Sequence, residues 1–127
     1  MHIIKSALIL GLIFSGVMAA AQEPPQHDGV TIYVSKLGDN TDGSTWTKAF
    51  HTIQAGLSAI PNAEGGHRVV VRPDTYAEAN LDPAFKGAAG AYNTLLGDFD
   101  GSLGSGAKGW VVIDSGAPEV LLRTNTN

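Results

Sequence analysis

The chain has 127 residues, no cysteine, eight Lys+Arg against twelve Asp+Glu, sixteen glycines and six prolines. That length suits one small domain rather than two. The acidic balance offers no positive field to neutralise phosphates, which argues against a nucleic-acid partner. Without thiols there are no disulfides, no thiol catalysis and no cysteine-based zinc site.

Met1-His2-Ile3-Ile4-Lys5 gives a short basic start, Ala7 to Val17 an apolar stretch, and Ala19-Ala20-Ala21 an A-x-A cleavage site before Gln22. Together they read as an export signal. The apolar stretch is about eleven residues, whereas a spanning helix needs nearer 20, and Pro24-Pro25 stops any extension. An uncleaved membrane anchor is the alternative. Residues 1–21 are expected to be removed, residues 22–29 to form a polar leader, and residues 30–127 to form the domain. Cleavage takes away Lys5, the one Lys or Arg in that segment, so the net charge moves from −4 to −5. Fourteen of the remaining 106 residues are glycine, roughly twice the usual share, while Leu, Ile, Val and Phe make up about 22 %, just above the ~20 % typical of disordered chains. The core is therefore small.

Val30 to Ser35 alternates apolar and polar residues at period two, which predicts a half-buried strand. Gly38-Asp39-Asn40-Thr41-Asp42-Gly43-Ser44 is a run of turn formers. Thr45 or Thr47 then caps a predicted helix to about Ile60, with Phe50, Ile53, Leu57 and Ile60 on one apolar stripe and Lys48, His51, Gln54 and Ser58 off it. Gly65-Gly66 makes a turn, and His67 to Arg72 predicts a β-branched strand closed by Pro73. Between Leu81 and Gly109, glycines break every candidate except a short strand at 92–96, and a loop of that length is expected to be functional or disordered. Strands are predicted again at Trp110–Asp114 and Glu119–Arg123.

The stretch from Ile32 to Glu78, just under half of the mature chain, resembles the opening of secreted right-handed parallel β-helix proteins. The shared order is strand, Gly-Asp-Asn-Thr-Asp-Gly-Ser loop, the Trp46…Ala49-Phe50-His51-Thr52-Ile53-Gln54-Ala55 helix, then Val69-Val70-Val71-Arg72-Pro73-Asp74-Thr75-Tyr76. These proteins form the pectin-lyase-like superfamily, including a bacterial group of undefined function. Asp74 stands where the family usually has glycine. The resemblance implies a mainly β fold, in which a capping helix lies over the N-terminal end of the first coils of a solenoid. Physically, a stack of parallel strands leaves unpaired peptide groups at each end that must be covered, and repeat folds need about three or more units with caps. A cap and about two turns of coil are legible here, and no second cap follows Arg123. The expectation is an incomplete β-helix, from a truncated reading frame or a piece that pairs with another chain.

The candidates for chemistry are few. Asp98-Phe99-Asp100-Gly101-Ser102 invites a calcium reading, since carboxylates in a glycine loop suit a hard cation. The EF-hand spacing fails, because Leu96 and Ala107 fall at the end positions, and an acidic turn on the surface is the commoner explanation. Asp39 and Asp42 read the same way. His51 and His67 read as solvated surface histidines, with no motif tying either to a partner. G-x-S-x-G is missing, and Gly101 to Gly106 lacks the lysine of a phosphate loop. Tyr76 and Glu78 match the Gly-x-Tyr-x-Glu of pectin-methylesterase-like members, whose catalytic aspartates and arginine, as the resemblance implies, come from later coils with no counterpart here. Tyr76 is expected to pack with a polar tip, and Trp110 and Tyr92 to be core, with stacking on sugar rings the alternative.

No catalytic, cofactor-binding or metal-binding residue is assigned. The resemblance implies a secreted, periplasmic or cell-surface protein whose longer relatives bind or process extracellular polysaccharide, by lyase or hydrolase chemistry where they are enzymes. A structural or adhesive surface module is the alternative, which the acidic balance favours because a polyuronate prefers a basic groove. Self-association through an uncapped solenoid end is the other expected contact.

Overall fold

The structure, a computed structural model, describes residues 28–116. The expected export signal, most of the expected leader and the strand expected at Glu119–Arg123 lie outside the described residues. Within them the chain consists of short strands and one helix, with no closed barrel.

The alternation at 30–35 builds β1 (Thr31–Val34), which buries Ile32 and Val34 on one face and half-buries Thr31 and Tyr33 on the other. The helix α1 (Ile53–Ser58) follows, then β2 (Arg68–Val71) and, after Pro73, β3 (Asp74–Tyr76). β4 (Gly87–Ala88) and β5 (Ala91–Tyr92) form a small antiparallel hairpin, and β6 (Thr94–Gly97) and β7 (Val111–Ile113) complete the set.

β1, β2 and β6 lie side by side in that order, all parallel and in register. Ile32, Val69 and Leu95 fall in one column, Val34, Val71 and Gly97 in a second, and Tyr33, Val70 and Leu96 in a third on the opposite face. β3 and β7 form a second parallel pair that sets Tyr76 beside Ile113. Parallel neighbours require long crossovers. The first runs through residues 35–67 and contains α1, and the second runs through β3 and the hairpin.

A parallel sheet is normally covered on both faces. On one face Ile53, Leu57 and Ile60 join Ile32, Val34, Val69, Val71 and Tyr76 in a single buried cluster, with Phe50 packed against it. The helix sits close to the strands because residue 56 is glycine: a Cβ there would lie 2.7 Å from Val34 Cγ2 and 3.0 Å from Val69 Cγ1. On the other face the Trp46 ring packs on Tyr33, with centroids 4.7 Å apart.

The apolar stripe is buried as its spacing predicts, but the helix is shorter than 45–60. It starts at Ile53, capped by the Thr52 hydroxyl, which accepts from the Ala55 N–H at 3.1 Å. Residues 38–50 are instead drawn to the outer edge of β1. Tyr33 N–H donates to Gly43 O (2.8 Å), Phe50 N–H to Tyr33 O (3.0 Å) and Ser35 N–H to Phe50 O (2.8 Å). Strand-edge pairing thus outcompetes helical propensity at Phe50 and covers the edge. Residues 81–109 also hold more order than their glycines predict. The strand expected at 92–96 is split between β5 and β6, because Asn93 leaves the ladder to bond Phe85 O and the His67 N–H through its side chain.

Candidate functional site

Asp98 follows β6 directly, where its own N–H still donates to Val71 O. The side chain is buried, not at the surface of a turn. One carboxylate oxygen accepts from Leu103 N–H and the other from Ser105 N–H, each at 2.9 Å. Burial alone would raise its pKa, but the hydrogen bonds from Ser105, Leu103 and Gly101 outweigh burial and hold the carboxyl below its ordinary range. Both oxygens are thus engaged by the loop that Asp98 closes, and Asp100, on the exposed side, accepts from Ser102 N–H at 3.0 Å. Among the described residues no three His, Cys, Asp or Glu side chains converge on a point. The loop is pinned further by Arg72 Nε–H to Ser105 O (3.2 Å) and by Trp46 Nε1–H to Leu103 O (2.9 Å), which fastens it to the 38–50 segment.

His67 is buried, contrary to the solvated role its position at a strand start predicts. Its Nδ1 accepts from Val30 N–H at 3.1 Å and its Nε2 faces Asn62 Oδ1 at 3.1 Å. A backbone N–H can only donate and a carbonyl oxygen only accept, so the hydrogen is assigned to Nε2. His67 thus acts as a rivet between the start of β1 and the 60s turn, enclosed away from solvent. His51 is exposed as expected, with Nε2 2.6 Å from Gly38 O.

Tyr76 matches its expected role, a buried ring whose hydroxyl donates to Arg72 O at 2.9 Å. Burial and then the Asp74 carboxylate push its pKa up to about 12. Lys36 lies 5.4 Å from the ring centroid and donates to Asp74 Oδ1 and Thr75 O. Glu78 takes a role that its sequence neighbours do not reveal. Its two oxygens accept from Ile53 N–H (2.7 Å) and Gln54 N–H (2.9 Å), satisfying orphan donors at the start of α1. No short-range pattern signals this contact, because the partners are 24 and 25 residues apart.

An open cleft of about 250 Å³ lies between Ala77, Glu78, Ala79, Asp114, Ser115 and Gly116. That is below the usual ~300–1,000 Å³ of a small-molecule pocket, and Glu78 within it is already committed to α1. Large aromatic side chains stand among the groups that face solvent. Trp110 is 82 % exposed, Tyr92 76 % and Phe99 63 %, so the core reading of Trp110 and Tyr92 is overturned. No layer among the described residues covers the outer side of β5 or β7. Gly109 N–H donates to Phe99 O at 2.9 Å, bringing the backbones of Phe99 and Gly109-Trp110 together.

The titratable residues flagged by the sequence are thus each hydrogen-bonded within local structure, and Trp110, Tyr92 and Phe99 are exposed. Compared with known protein families, curated proteins and solved structures, the chain matches none.

Proposed function

We propose that the chain is the non-catalytic N-terminal portion of an exported right-handed parallel β-helix protein associated with extracellular polysaccharide binding or processing. The observation that carries this reading is the in-register parallel stack β1-β2-β6, joined to a second parallel pair β3-β7, with an amphipathic helix seated on the first strands. Right-handed crossovers are the rule for parallel neighbours, in roughly 98 % of cases, which supports the hand. Trp110, Tyr92 and Phe99 support a sugar ligand, because flat apolar rings in solvent suit the CH faces of pyranose units. The excess of acidic groups favours neutral glycans over polyuronates. It also favours the second reading, a structural or adhesive surface module with no glycan ligand.

Affinity electrophoresis of the exported chain through gels carrying neutral or acidic polysaccharide separates the two. The expected result is retardation by a neutral glycan that Trp110→Ala abolishes, with no release of unsaturated or reducing ends. Unretarded migration in every gel overturns the polysaccharide association and leaves the structural module. Turnover overturns the non-catalytic assignment.

A further inference from the structure

Val30, the residue before β1, is tied to the start of β2 on both sides of its peptide. Its carbonyl accepts from Arg68 N–H at 2.9 Å, and its N–H donates to Nδ1 of the His67 ring at 3.1 Å. The polarity of the ring bond is fixed from both ends. Glu64 N–H donates to Asn62 Oδ1 at 2.9 Å, which assigns that atom as an acceptor oxygen, and the same oxygen faces His67 Nε2 at 3.1 Å. The ring therefore carries its one hydrogen on Nε2. A second hydrogen on Nδ1 would point at Val30 N–H, two donors with no acceptor between them. His67 is 1 % exposed, so the added charge would also be buried. The bond to Asn62 survives this change, because Nε2 donates in both forms of the ring. The ring cannot swing aside, since His67 N–H donates to Asn93 Oδ1 (3.1 Å) and His67 O accepts from Thr94 N–H (2.9 Å). The movable partner is the entry segment, in which Asp28 and Val30 are exposed.

We infer that His67 is an acid-sensitive latch: a proton taken up at Nδ1 releases Val30 and the chain before it, while the sheet β1-β2-β6 stays paired. The inference goes beyond the proposed function and rests on neither the solenoid nor a glycan ligand. The charged groups on the segments around the ring are Asp28 before β1, Glu64 in the turn, Arg68 on β2 and Lys86 ahead of the hairpin. They are two of each sign and all exposed, so they supply no net charge to balance a buried imidazolium. Neither β1, α1 nor β6 carries a charged side chain, and Tyr33 on β1 and Tyr92 on β5 are phenols, uncharged in acid. The closed latch has no place for the proton, whereas the opened ring accepts it as a solvated histidine does, near pH ~6.5. Above that value the opened fraction is independent of pH, and below it the fraction rises about tenfold per pH unit. The entry to β1 is thus fastened at neutral pH and loose in acid.

The test follows amide hydrogen exchange and the His67 ring nitrogens by NMR in residues 22–127, from about pH 7.5 to about pH 4.5, above the range in which Asp98 is protonated. The ring is expected to show a hydrogen on Nε2 alone at neutral pH and to gain the second on Nδ1 in acid. In step with that change, protection of the Val30 amide is expected to fall about thirtyfold between about pH 6 and about pH 4.5. The amides of Arg72 and Asp98, which donate to Val34 O and Val71 O inside the sheet, are expected to keep their protection. His67→Asn retains an acceptor oxygen near the position of Nδ1 and cannot be charged, so its Val30 amide is expected to stay protected throughout. Where that variant does not fold, the wild-type comparison of Val30 with Arg72 and Asp98 decides alone. Val30 protection that is level across the range overturns the inference, as does a ring that gains its second hydrogen while Val30 stays protected. Loss of protection at Arg72 and Asp98 in step with Val30, or an equal fall at Val30 in His67→Asn, overturns it as well. None of these readouts involves a glycan, so either proposal can fail without the other.

Discussion

Replacing Gly56 with alanine sets two effects of opposite sign against each other. An alanine inside a helix is favoured over glycine by about 1 kcal/mol. In this helix the new methyl carbon would lie 2.7 Å from Val34 Cγ2 and 3.0 Å from Val69 Cγ1, both on buried, stiff β-branched side chains. Forcing an extra carbon into a packed core costs about 1–3 kcal/mol. The net expectation is a loss of about 1 kcal/mol, which for a domain of this size lowers Tm by roughly 4–8 °C. Thermal and urea melts of residues 22–127, followed by far-ultraviolet circular dichroism, measure it. Val69→Ala removes one of the two obstructing atoms, so in that background Gly56→Ala is expected to cost less by at least about 0.5 kcal/mol. If Gly56→Ala instead stabilises the chain by about 1 kcal/mol and Val69→Ala leaves its effect unchanged, α1 does not rest on β1 and β2 and the packing argument fails.

Substitutions at three other residues probe the polar groups. Asp98→Asn replaces an acceptor oxygen by an NH₂ facing an N–H and is expected to cost about 1.5–3 kcal/mol at neutral pH. Because the native Asp98 pKa is depressed, its contribution is complete above the unfolded value near 3.9 and is lost as pH falls through the lower native value. Chemical melts between pH 6 and the acid limit should therefore show a shallower fall in the Asn variant than in the wild type. Glu78→Ala leaves Ile53 N–H and Gln54 N–H without acceptors and is expected to cost about 1–2 kcal/mol, with Glu78→Gln costing less, since one oxygen remains. His67→Phe keeps the bulk but abandons Val30 N–H and Asn62. It is expected to cost about 2–4 kcal/mol in the same urea melts, and a change below about 0.5 kcal/mol would refute the rivet role.

The strands were the most legible part of the sequence. The alternation at Thr31–Val34 and the β-branched runs at Arg68–Val71 and Val111–Ile113 appear where their patterns place them. Local propensity decides such segments when nothing distant competes. Where something distant does compete, the sequence misleads. Phe50 lies at helical spacing from Ile53, yet the peptide groups of β1 claim it for an isolated parallel bridge to Val34. His67 and Asp98 look like surface residues because polar types usually are, but each is buried with hydrogen-bond partners in irregular segments, a circumstance with no periodicity to detect. Trp110 and Tyr92 carry the opposite error. Aromatic residues usually contribute to a core, and these two sit where no further layer among the described residues reaches them. The candidate site was therefore legible as a list of residue types and not as a surface.

The hydrogen bond from Trp46 to Leu103 spans 57 positions of the chain. A polypeptide that leaves a ribosome or a membrane channel from its first residue onward presents residue 46 long before residue 103 has emerged. The segment around Trp46 must wait with its indole N–H bonded to water while β2, the hairpin and β6 come out and align. Closure of this clasp is therefore among the last events of folding, and the indole fluorescence of Trp46 in a Trp110→Phe background would time it.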